Sequence, residues 1–220
     1  MHTCRTPVKI HYGPSFRDNG YQIKIELSPV LRGTVHPPEV REVQPLVLEE
    51  FGYSENLLVS RADLYGGKIC AALDRQHPRD LFDIMLMLDT GLFDREAFDT
   101  FLVYLVSGRR PMAELLSFQT LALNEVFASR FEGMSRIPVT VEQLEESRLR
   151  MLKRIGSFMT EKDKEFLLSI KRGEPDWSLS AFSEIRHLPA VRWKLLNLDQ
   201  MTRKKHREAL QKLEDVLNGF

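Results

Sequence analysis

Along the first fifty residues, apolar and polar positions alternate. Val8, Ile10 and Tyr12 are separated by Lys9 and His11, and Ile23, Ile25 and Leu27 alternate with Gln22, Lys24 and Glu26. A period of two is that of a strand with one covered face. Between these runs lies Asn19-Gly20, a strong two-residue turn signal, so the pattern predicts a β-hairpin. A third extended run, Pro45-Leu46-Val47-Leu48, is predicted after the proline-rich stretch at His36-Pro37-Pro38. Lys24 and Glu26 share the face opposite Ile23 and Ile25, where they either meet solvent or line a cleft.

From Ser60 onward the period changes to that of helices. The spacing predicts helices over 60–76, 79–90, 94–107, 112–131, 140–155, 160–172, 181–196 and 199–217, with Pro111, Pro138, Pro175 and Pro189 between them. Ser60 with Asp63, Thr140 with Glu142, and Thr160 with Glu161 and Asp163 are capped helix starts. The expected fold class is therefore α+β: a β-rich lobe over residues 1–59, then a predominantly helical lobe over 60–220.

Composition narrows the function classes. With 31 Lys+Arg against 31 Asp+Glu the formal net charge is zero, which argues against indiscriminate binding to nucleic acid or membrane surfaces. No apolar run reaches the ~18 residues of a membrane span, and the first residues lack the apolar core of a signal peptide. Cys4 and Cys70 are distant from each other, as reduced thiols would be, and a cytoplasmic location is expected. The basic clusters at Arg109-Arg110, at Arg148, Arg150, Lys153 and Arg154, and at 203–207 have acidic neighbours and read as solvated helix faces. Trp177 and Trp193 are expected to pack the C-terminal helices together.

Ionisable residues concentrate between Lys68 and Asp83. Lys68, Ala72 and Arg75 fall at i, i+4 and i+7, which places two cations on one helical face. His77-Pro78 then breaks the helix. Arg79 and Asp80 open the next one, with Asp83 at i+3 from Asp80 and i+4 from Arg79. Such a ridge suits phosphate binding, and equally suits a surface helix pair laced by salt bridges. No HExxH, CxxC, P-loop or GxGxxG occurs in the chain.

Two segments together resemble a known family. LVSRADLYGGKICAALDRQHPRDLFDI resembles the Lys-plus-RDxxD signature of the AbiEii/AbiGii toxin family of nucleotidyltransferases. EKDKEFLLSIKRGEPDWSL with LPAVRWKLLNL resembles the C-terminal region of many members. The resemblance runs from about Tyr21 to about Met201. It implies a DNA-polymerase-β-like nucleotidyltransferase lobe, here partial, followed by a helical lobe. It implies the toxin of a type IV toxin–antitoxin or phage abortive-infection system, with NTP and Mg²⁺ as cofactors. The implied partners are an RNA acceptor, tRNA in some relatives, and a winged-helix-type antitoxin encoded nearby.

By the same resemblance, Lys68, Asp80 and Asp83 are the catalytic candidates and Lys68, Arg75 and Arg79 the nucleotide-binding ones. Arg75 is a second phosphate contact or a ridge salt bridge, and Glu26 is a metal carboxylate or a neighbour of the metal carboxylates. The departure from the family pattern is that no Gly-Ser element followed by Asp-x-Asp precedes Tyr21, and no Asp-x-Asp occurs anywhere in the chain. The expectation is the C-terminal part of such a toxin, by truncation, a late start or degeneration, and inactive by itself. The alternative is a non-catalytic RNA- or protein-binding module derived from that family.

Overall fold

The computed structural model describes residues 15–18, 21–24, 33–117 and 119–220, the first two stretches through their backbone. The chain divides into two compact units, Met1–Arg32 and Gly33–Phe220. In the first, β1 (Ser15–Asp18) pairs antiparallel with β2 (Tyr21–Lys24), Asp18 opposite Tyr21. The two strands flank Asn19-Gly20, the first ending directly before that pair. The predicted run at 8–12, and Glu26 with its neighbours, lie outside the described residues.

In the second unit, β3 (Glu39–Glu42) pairs antiparallel with β4 (Glu55–Leu58). Between them, residues 45–48 are helical, which corrects the extended run expected there. They open α1 (Pro45–Phe51) with Pro45 at its first position, where a preset φ and a missing N–H cost nothing. Every residue from 37 to 59 except Val43 is exposed. Val40, Leu46, Phe51, Tyr53 and Leu57 all stand in solvent.

The core begins at Ser60. Helix α2 (Arg61–Arg75) starts where the Ser60 hydroxyl accepts from the Asp63 amide. Helix α3 (Pro78–Asp89) follows after two residues. Helix α4 (Arg95–Ser107) is apolar on nearly every side and buries Phe98, Phe101, Val103 and Leu105, as a central helix must. Gly66 of α2 permits the crossing with α4: a Cβ there would lie 2.8 Å from the Phe101 amide nitrogen. Helix α7 (Val141–Phe158) lies along α3, with Leu144, Met151 and Ile155 in the same core as Leu81 and Ile84.

Helices α7 and α8 (Glu161–Arg172) both begin with reciprocal capping boxes, Thr140 with Gln143 and Thr160 with Asp163. The single helix expected over 112–131 is two, α5 (Met112–Leu116) and α6 (Asn124–Arg130). The one expected over 181–196 is a short 3₁₀ turn, Ser183–His187, then α9 (Pro189–Asp199). Proline at N1 restarts the helix because it disfavours helical conformation in the residue before it. The chain closes with α10 (Arg203–Leu217), capped by Thr202.

Trp177 packs against the core, whereas Trp193 is 57% exposed, which corrects the packing role expected of it. Its neighbour Lys194 turns inward, donating to the carbonyls of Gly108 (2.8 Å) and Arg110 (3.5 Å) beyond the end of α4. Burial, with repulsion from Lys171 added, pushes the Lys194 pKa down to about 8. Among the described residues no helix is long and apolar enough to cross a membrane.

Candidate functional site

Helices α2 and α3 lie side by side because only Gln76 and His77 separate them. His77 caps α3, its Nδ1 accepting from the Arg79 amide (3.2 Å). Burial pushes the His77 pKa down, and Arg79, Arg75 and Arg130 add to this against the opposing pull of Asp80. The neutral ring that this favours is the form able to accept that bond.

Four of the candidate residues meet along the α2–α3 seam as two ion pairs. Lys68 Nζ donates to Asp83 Oδ2 at 2.6 Å, both side chains being about one-third exposed. Two turns along, Arg75 grips Asp80 through two hydrogen bonds, Nε to Oδ2 at 3.0 Å and Nη2 to Oδ1 at 2.6 Å. Asp80 is largely covered while the Arg75 side chain is 62% exposed. At its Arg75 end the seam therefore shows solvent the cation and holds the carboxylate beneath it, whereas at its Lys68 end the two partners are equally exposed. Arg79 is not part of it: its guanidinium turns to the Arg130 carbonyl (3.4 Å) and to Met134 Sδ (3.1 Å).

The chemistry this arrangement supports is anion recognition. A cation that keeps its carboxylate and has part of its surface still wet retains donors for phosphate oxygens: Lys68 commits one hydrogen bond to Asp83, and Arg75 two to Asp80. Metal binding is a different matter. Among the described residues no grouping of His, Cys, Asp and Glu is arranged to hold a metal ion. Asp80 and Asp83 are each engaged by a cation, so the described carboxylates do not fit a Mg²⁺ site. Glu26 and the side chain of Lys24 lie outside the described residues.

Two polar assemblies elsewhere on α2 and at its end escape sequence reading. Asp63, 3% exposed, accepts four further hydrogen bonds: from the amides of Val35 (2.8 Å) and His36 (3.0 Å), and from the hydroxyls of Ser60 (2.8 Å) and Tyr104 (2.8 Å). The sequence marked it only as a capping acid. The second assembly is at Gln76, whose buried amide donates to the Gln119 carbonyl (2.6 Å) and accepts from the Leu121 amide (3.1 Å) and Arg148 Nη1 (3.3 Å). Arg148, expected on a solvated basic face, is instead 5% exposed and also donates to the Leu121 carbonyl (2.9 Å). No local spacing signals a bond between residues 72 positions apart. The rest of that basic cluster is dispersed as well: Arg150 pairs with Asp89, and Arg154 lies over the Phe158 ring.

The family model described as nucleotidyl transferase AbiEii toxin, type IV TA system, matches residues 5–197. No curated protein matches the chain, and no solved structure does.

Proposed function

Because the chain belongs to the AbiEii family of nucleotidyl transferase toxins of type IV toxin–antitoxin systems, we propose that the α2–α3 seam grips the triphosphate of a nucleoside triphosphate. Lys68 supplies a compact charge and Arg75 a two-pronged one. The observation that carries this reading is the pairing itself: both cations are already held 2.6 Å from an anionic oxygen, on one seam and partly in solvent. Asp80, covered and doubly bonded, orients Arg75, and the more exposed Asp83 orients Lys68 within the catalytic set. Arg79, directly before Asp80 but turned to the Arg130 carbonyl and Met134, secures the end of α6 rather than the nucleotide. Residues 60–220 then form the helical lobe, and residues 1–59, Glu26 among them, the β-rich remnant of a nucleotidyltransferase lobe.

The acceptor under this proposal is RNA, tRNA-like in character. The setting is the cytoplasm of a phage-challenged cell, and the counterpart is a winged-helix antitoxin encoded nearby. A second reading is favoured by one observation: the chain has no Asp-x-Asp, and its described carboxylates form no metal grouping. In-line displacement at a phosphate depends heavily on charge stabilisation of the attacking and leaving oxygens. On that reading the chain by itself is a nucleotide- or RNA-binding module that does not transfer.

Incubating the purified chain with Mg²⁺, tRNA and each radiolabelled NTP tests transfer. No incorporation is expected, and Lys68-dependent labelling would show that residues outside the seam complete a catalytic site. Calorimetric titration with Mg²⁺-free tripolyphosphate tests the seam. Lys68→Met is expected to weaken binding about tenfold, the loss of one charge-assisted hydrogen bond. Unchanged affinity would remove the seam from consideration.

A further inference from the structure

Gln76 has a backbone conformation that a side chain ordinarily avoids. Its φ of 48° and ψ of 34° are left-handed, and among the described residues it is the one non-glycine with positive φ. It ends α2 in the place where glycine is the usual occupant, because a Cβ there crowds the adjacent carbonyl. Glycine would make the same corner without that crowding. The side chain is nevertheless present, 7% exposed, with its amide bonded to three groups on two separate stretches of chain. Strain retained at a buried polar residue points to a function for that residue.

We propose that Gln76 is the positioning residue of the phosphate-gripping seam. The inference rests on the proposed role of Lys68 and Arg75. The amide locks the α2–α3 corner onto the connector at 119–121 and onto Arg148 of α7. Ser147, the neighbour of Arg148, donates to the Leu81 carbonyl at 3.1 Å and holds α3 one turn further along. Helix α7 therefore grips both the corner and α3 beyond it.

The geometry shows why the corner matters. Asp83 lies seven residues beyond Gln76 and Lys68 eight before it, so each is roughly 11 Å from the corner along its helix. A hinge error of about 10° there displaces Asp83 relative to Lys68 by roughly 2 Å. That shift breaks the 2.6 Å contact between them. Arg75 and Asp80 flank the corner and move much less. Loss of the clasp should consequently remove the contribution of Lys68 while sparing that of Arg75.

The experiment is a double-mutant cycle read by tripolyphosphate affinity, with thermal melting to confirm folding. Gln76→Gly removes the amide and relieves the backbone. Gln76→Asn, which tolerates left-handed backbone but is one methylene short, is the second variant should the glycine chain melt too early. In the wild-type background Lys68→Met lowers affinity about tenfold, and in either Gln76 background it lowers it less than threefold. Arg75→Met keeps its full effect in both. If Lys68→Met costs the same tenfold with and without Gln76, the positioning role is overturned while the seam stands. If Lys68→Met has no effect in the wild type, the seam reading fails, and the positioning role with it.

Discussion

Lys194 offers a test in which structure sets both sign and size. Its side chain is half-buried, with the ammonium group on carbonyls beyond the end of α4, and its pKa is lowered to about 8 from an ordinary 10.5. Between these values the unfolded chain binds a proton that the folded chain has released, so stability rises with pH across the window. The whole interval is worth at most about 3 kcal/mol, and the part between pH 7 and pH 9.5 about 2 kcal/mol. Lys194→Met removes the titration and keeps most of the packing stem. Urea unfolding of both chains at half-unit pH steps supplies the readout, each wild-type value being taken relative to the variant at the same pH so that other groups cancel. The difference is expected to grow in favour of the wild type by about 2 kcal/mol from pH 7 to pH 9.5. Parallel stability curves would refute the argument, since they would mean that Lys194 titrates alike in both states and is not desolvated by folding.

Asp63→Asn replaces a buried anion that accepts hydrogen bonds from two amides and two hydroxyls with an amide bearing one acceptor oxygen. It should cost roughly 2–4 kcal/mol in chemical unfolding, the scale of a broken buried network; a loss below 1 kcal/mol would show that the network is replaceable by water. Gly66→Ala and Gly67→Ala form a matched pair. The first drives a methyl against the Phe101 and Thr100 backbone and should destabilise by about 1–2 kcal/mol, overpacking exceeding the helix-propensity gain. The second meets nothing within 4 Å and should stabilise by about 0.5–1 kcal/mol. Equal effects on melting would contradict the close α2–α4 crossing.

The parts of the fold that sequence made legible are those with local causes. Ser60, Thr140 and Thr160 begin helices because their hydroxyls meet amides three residues on, and Pro78 begins α3 because its ring fits only the first turn. Pro45-Leu46-Val47-Leu48 misled for the opposite reason. Four apolar residues carry no period that separates strand from helix, and the exposed surroundings gave the run no face to bury. The seam was visible because i, i+4, i+7 spacing on one helix and i, i+3 on the next places charges on faces without reference to the rest of the chain. What the spacing could not supply was the pairing, Lys68 with Asp83 and Arg75 with Asp80, since that depends on the angle of the corner. That angle depends in turn on Arg148, far along the chain, whose basic neighbours made it look like one more solvated side chain.

Residues 37–59 form two strands and a helix yet contribute almost nothing to the core. A two-stranded ribbon without a covered face holds itself together by little more than its own ladder. Its opening therefore leaves the helical body intact, as a separate cooperative step of low free energy. Amide hydrogens of β3, α1 and β4 should exchange with solvent deuterium orders of magnitude faster than those of α4. Val35 and His36, whose amides are tied to the Asp63 carboxylate, mark where slow exchange begins on the near side of the ribbon, and Asp63 itself, bonded to Ser60, marks it on the far side. One carboxylate thus sets both borders of the segment that breathes.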